Sequence, residues 1–131
     1  MVSALYLGKF VSLNHKHMRY TIIILVNATH QWLSLSRRER DEFIEGELRP
    51  IFKRYSDSCD IRLYDSDFTT AGISNFMIVE TEDLSAFGFL MGYLRESKTL
   101  ASPYFTIKQL VVGVPNNFRG SISIEEVSTN L

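Results

Sequence analysis

With 131 residues the chain has room for one domain and no more. A content of 45% hydrophobic and 22% charged residues is that of a globular protein and excludes a disordered one. Lys plus Arg number 14 against 15 Asp plus Glu, and the net charge of -1 leaves no electrostatic footprint for nucleic acid or an anionic membrane.

The N-terminal stretch MVSALYLGKF has no basic start and no small-residue cleavage site, which argues against a signal peptide. The longest unbroken apolar run, residues 22–26, is far too short to span a bilayer, so a soluble, cytoplasmic protein is expected. Residues 1–17 differ in character from the rest of the chain. Two readings stand: an N-terminal arm that packs on the domain or a partner, or an extension upstream of a start at Met18. The division expected is 1–17 extension, 18–115 domain and 116–131 tail.

Residues 19–27, RYTIIILVN, are β-branched and apolar on both alternating faces, as in a strand at the middle of a sheet. A helical turn or loop over 28–35 carries His30 and Trp32. Ser36 and Glu39 have capping-box spacing and open a long helix whose stripe is Phe43, Ile44, Leu48, Ile51, Phe52 and Tyr55. Pro50 removes one backbone bond there and crowds the carbonyl of Gly46, which predicts a bend near residues 46–50 and no break. Cys59 stands alone, so no intramolecular disulfide or cysteine metal cage can form, and a small half-buried residue is expected.

A second strand over 60–65 alternates polar and apolar residues like an edge strand, and a third over 74–80 reads as central. Thr81 is the expected N-cap of a second helix with the stripe Leu84, Phe87, Leu90, Met91 and Leu94. Gly88 and Gly92 weaken that helix, and close approach to the sheet would explain them. Residues 104–114 form a fourth strand stopped by Pro115, and the rest is a polar tail or an added edge strand.

The order β-α-β-β-α-β predicts an α+β, ferredoxin-like domain with a four-stranded antiparallel sheet and its first and third strands in the middle. Two helices cover one sheet face. The other face must be covered elsewhere, which predicts a homodimer through the open face, burying well over roughly 1,000 Å² in total.

The segment RYTIIILVNATHQWLSLSRRERDEF, with the later LRPIF, ETEDLSAF and SPYF, resembles the darcynin family of small bacterial proteins over about residues 18–114. That resemblance implies a dimeric α/β barrel in which two ferredoxin-like sheets pack face to face. It carries over no catalytic residue.

Candidate chemistry is sparse. His15 and His17 could place two imidazoles on one side of an extended chain, but no third ligand is near, so no metal site is assigned. The run Arg37-Arg38-Glu39-Arg40-Asp41-Glu42 reads as i,i+4 pairs, Arg37 with Asp41 and Arg38 with Glu42, and not as a phosphate site. Asn27, His30 and Trp32 follow the first central strand, and Arg62 and Tyr64 share a face of the second. Together they are the candidate lining of a ligand pocket, with no cofactor implied. The bland alternative makes Trp32 a hydrophobic plug and His30 an exposed turn residue. Two functions stay open: a binding module for a small apolar metabolite, or a cofactor-independent monooxygenase- or isomerase-like enzyme on a small aromatic or polyketide-like substrate.

Overall fold

The computed structural model describes residues 18–116. The arm at 1–17 with its His15 and His17, and all of the tail after Asn116, lie outside the described residues. Strand β1, Tyr20–Ala28, is followed by a one-turn helix α1, His30–Leu33, and by α2, Arg37–Phe43. A π-helical turn, Ile44–Leu48, leads into α3, Arg49–Arg54. Then come β2, Cys59–Asp65, and β3, Asn75–Thr81, helix α4, Leu84–Glu96, and β4, Phe105–Gly113. The sheet order is β2-β3-β1-β4 with every pairing antiparallel, so β1 and β3 are the central strands.

The capping box forms as its spacing predicts. The Glu39 amide donates to Ser36 Oγ at 3.1 Å, and the Ser36 amide donates to Glu39 Oε1 at 2.9 Å. The Ser36 amide first, and then the Ser36 hydroxyl, hold the Glu39 carboxyl below the usual carboxylate range. The bend expected at Pro50 takes a specific form. Proline has no N–H to give to Gly46, and its ring crowds that carbonyl. The backbone widens by one residue instead, and the Arg49 amide donates to the Ile44 carbonyl.

Thr81 is not the N-cap of α4. It ends β3, where its hydroxyl donates to the Ser58 carbonyl at 2.6 Å and accepts from the Asp83 amide at 2.9 Å. Asp83 caps the helix, accepting from the amides of Ser85 and Ala86 at 3.0 and 3.3 Å. The Ser85 hydroxyl, with these amides, holds the Asp83 carboxyl below its ordinary range.

Helix α4 buries Ala86, Phe87, Leu90, Met91 and Leu94 against Ile22, Ile24, Met77, Val79 and Cys59. The expected stripe shifts at its start, because Leu84 is exposed and Ala86 takes its place. Cys59 is fully inside, not half-buried. The close approach expected of Gly88 and Gly92 is absent, since a Cβ on either would meet nothing within 4 Å. Both lie off the buried face, so Gly88→Ala and Gly92→Ala should each raise stability by about 0.5–1 kcal/mol. Chemical denaturation checks this; a loss would mean that something covers that face.

Strand alternation assigns the two sheet faces. On the helix side are Ile22, Ile24 and Val26 of β1, Met77 and Val79 of β3, and Ile61 and Leu63 of β2. On the other side are Ile23, Leu25 and Asn27 of β1, Phe76 and Ile78 of β3, and Arg62 and Tyr64 of β2. Strand β4 changes phase. Ile24 faces Leu110 and Leu25 faces Gln109, but Val26 faces Ile107, so Lys108 is an extra residue. Without that bulge Phe105 and Ile107 would point away from the helices. With it they join the helix side. The β2–β3 loop turns at Gly72, whose φ of +80° disfavours a side chain.

Candidate ligand cavity

The helix α2–α3 does not close down on the sheet. Its stripe residues Leu48, Ile51, Phe52 and Tyr55 reach only partial burial, whereas the stripe of α4 is sealed. Between them and the sheet lies a cavity of about 720 Å³. Ile24, Leu63, Met77 and Ile107 line it from the strands, Ile44, Leu48 and Phe52 from the first helical layer, and Met91 and Leu94 from α4. Leu63, in its lining, is 58% exposed although it faces the helix side, which places it at the cavity's rim.

Trp32 closes one end. Thr29 caps α1, accepting from the Trp32 amide, and its hydroxyl donates to the Pro103 carbonyl at 2.7 Å, which ties α1 to the start of β4. The indole then meets Tyr104 and Phe105 at ring-centroid distances of 5.4 and 5.0 Å and Phe43 edge-on at 5.7 Å. Arg40 fixes it from above. Its guanidinium lies 5.6 Å from the indole centroid and donates to the carbonyls of Trp32 and Leu33 at 3.2 and 3.0 Å.

Polar groups are few and lie mostly at the rim. Asn75 Nδ2 donates to Asp65 Oδ1 at 2.6 Å, and both residues line the cavity. Arg37 and Asp41 line it too, and the ion pair expected between them is not formed among the described residues. The parallel pair one residue on, Arg38 with Glu42, closes at 3.1 Å. Asp41 is one methylene shorter than Glu42, which leaves it short of its i,i+4 partner.

Of the five candidates from sequence, Trp32 and Tyr64 line this cavity. Tyr64 does so from the rim, since its ring stacks on Phe76, with centroids 4.7 Å apart, and its strand parity belongs to the other face. Asn27 and Arg62 lie on that opposite face, and His30 is exposed on α1. Arg62 donates to Glu80 Oε1 at 3.3 Å and lies 3.7 Å from Asp60. The structure therefore does not bring the five to one point. Among the cavity residues that sequence reasoning did not single out are Leu63, Met77, Met91, Thr99, Phe105 and Ile107. Met91 reads as core, and for Phe105 and Ile107 only the bulge at Lys108 sets their direction.

The β-α-β-β-α-β order and the four-stranded antiparallel sheet, with its helices on one face, define an α+β domain of ferredoxin-like fold. The chain belongs to the Darcynin family, described as a domain of unknown function, which it matches over residues 9–130. The match runs past both ends of the 18–114 stretch that carries the motifs, so parts of the arm and the tail belong to the family pattern. A Darcynin homolog from Streptomyces avermitilis is 29% identical over 109 residues, covering 83% of this chain and 89% of that protein. Darcynin from Chromobacterium violaceum is 32% identical over 72 residues, covering 55% and 90%.

Among solved structures, a chlorite dismutase from Candidatus Nitrospira defluvii superposes with a TM-score of 0.67 at 15% identity, over 86% of this chain and 48% of that one. A heme-binding protein from Thermus thermophilus superposes with a TM-score of 0.65 at 15% identity, over 85% and 43%. The chain spans less than half the length of these solved chains, and at such identity the likeness is one of fold. Among the described residues, no helix is long and apolar enough to cross a membrane.

Proposed function

We propose that this protein is a dimeric binding module that takes a small, largely apolar ligand in the cavity between its helices and its sheet. The observation that carries this reading is the cavity of about 720 Å³, walled by aliphatic, thioether and aromatic side chains with polar groups mostly at its rim. Such a site can bury most of a drug-sized molecule, with a few polar contacts setting its orientation. A cofactor-independent enzyme has less support. No imidazole lines the cavity, Asp65 is engaged by Asn75, and Arg40 is engaged by the carbonyls of α1.

The heme-binding relative in fold raises haem as the occupant. Haem iron is held by His, Cys, Met or Tyr. Here the wall offers only the thioethers of Met77 and Met91 and, at the rim, the phenol of Tyr64, whose ring is stacked on Phe76; His30 is exposed on α1 and Cys59 lies outside the lining. With neither imidazole nor thiolate in the wall, the lining supports an apolar organic ligand better than haem.

The homodimer uses the other sheet face. Its centre is the aliphatic row Val111, Ile23 and Ile78, and at one end Arg62, Glu80 and Arg19 form a charged margin. An apolar centre with a polar rim is the usual anatomy of an interface core.

Native mass spectrometry of freshly purified protein, with titration of the dye 1-anilinonaphthalene-8-sulfonate, tests the binding reading. Wild type should retain or take up one small molecule per chain. Leu63→Trp, which places a bulky ring at the rim of the cavity, should lose it with the fold intact. Equal uptake by this variant, or no uptake by wild type, would overturn the reading.

A further inference from the structure

We propose that Thr99 is the polar anchor of the cavity, and that the ligand is an aromatic compound bearing a hydroxyl or carbonyl oxygen that meets it. The inference rests on the cavity being a ligand site, and it narrows the ligand from apolar compounds in general to oxygen-bearing ones.

Thr99 lies in the connection from α4 to β4 and is part of the cavity wall. It is 9% exposed. Its backbone is fully used: its amide donates to Ser97 Oγ at 3.1 Å, and its carbonyl accepts from the Phe105 amide at 2.9 Å. Its hydroxyl is different. Oγ1 is sealed from solvent and has no hydrogen-bond partner. Thr81, deeper still, shows the normal condition, with its hydroxyl bonded to the Ser58 carbonyl and the Asp83 amide.

A buried hydroxyl without a partner is unfavourable, and a native structure that keeps one calls for an explanation. The cavity wall nearest in sequence supplies none, since Leu94, Leu100, Phe105 and Ile107 present hydrocarbon. In this rotamer Oγ1 has no accessible surface, so to meet a ligand the side chain must change χ1 to another staggered position that turns the hydroxyl into the cavity. That ligand must offer an oxygen on an otherwise apolar frame. The rings of Trp32, Phe52 and Phe105 in the same wall favour a flat aromatic frame.

The test compares naphthalene with 2-naphthol by fluorescence titration of the full chain, as wild type, Thr99→Val and Thr99→Ser. Wild type should prefer 2-naphthol. The preference should shrink by about tenfold in Thr99→Val and return in Thr99→Ser, while naphthalene affinity holds in all three. The melting temperature of Thr99→Val should not fall, because valine keeps the shape and removes the unpaired group. A preference unchanged in Thr99→Val would overturn the proposal and leave the cavity reading standing, as would a lower melting temperature, which would show a partner within the protein. Failure of wild type to bind either compound would overturn both.

Discussion

Replacing Leu90 by alanine should lower stability by about 3 kcal/mol, and the melting temperature by more than about 10 °C. Leu90 has no exposed surface, and it stands at the middle of the buried stripe of α4, flanked by Phe87, Met91 and Leu94. Opposite it are the sheet residues Ile22, Ile24, Met77 and Val79, all in the same cluster. Those strands are held by backbone pairing on both sides, so they cannot slide inward to fill the space, and the cost of a void adds to the lost burial. Leu63→Ala is the matched control. The same atoms are removed from a residue that is 58% exposed, and the expected change is within about 0.5 kcal/mol. Thermal denaturation followed by circular dichroism checks both. A loss below about 1 kcal/mol for Leu90→Ala would mean that α4 is not packed on the sheet in this way.

Local chemistry in this chain is legible wherever one residue's physics decides the matter. Ser36 with Glu39 marks a capping box because each satisfies the other's orphan amide, and Pro50 marks a distortion because it has no amide to give. The two-sided apolarity of β1 and β3 likewise places them at the middle of the sheet. The choice of cap at α4 is closer. Thr81 and Asp83 are both good caps, and the decision falls to the Ser58 carbonyl, which claims the Thr81 hydroxyl from a distant loop.

The site is less legible, for two reasons. Alternation puts Asn27 on the face opposite Val26, but does not say which face the helices cover; that depends on how both layers pack. The bulge at Lys108 has no signature in the run FTIKQLVVG, yet it turns Phe105 and Ile107 into the cavity. A stripe such as Ile44, Leu48 and Phe52 also reads the same whether it meets a core or a cavity wall.

Ile23→Asp should convert the proposed dimer to a monomer with its fold retained. Ile23 is at the centre of the open sheet face, level with Ile78 on one neighbouring strand and Val111 on the other. It is 38% exposed within a single chain, so an aspartate there stays in contact with water and perturbs the isolated domain little. In a face-to-face dimer the twofold axis brings this row against its own copy, and each carboxylate would be taken from water into an aliphatic seam. Two like charges without partners in such a seam are strongly unfavourable, enough to abolish association at micromolar concentration. Arg62, on that face, is already engaged by Glu80 and Asp60. Light scattering coupled to size exclusion at about 20 µM, near the micromolar affinities this argument concerns, should give twice the chain mass for wild type and the chain mass for the variant. Circular dichroism should be unchanged. A dimeric Ile23→Asp would move the interface to another surface, and a monomeric wild type would leave the open face without the partner proposed for it.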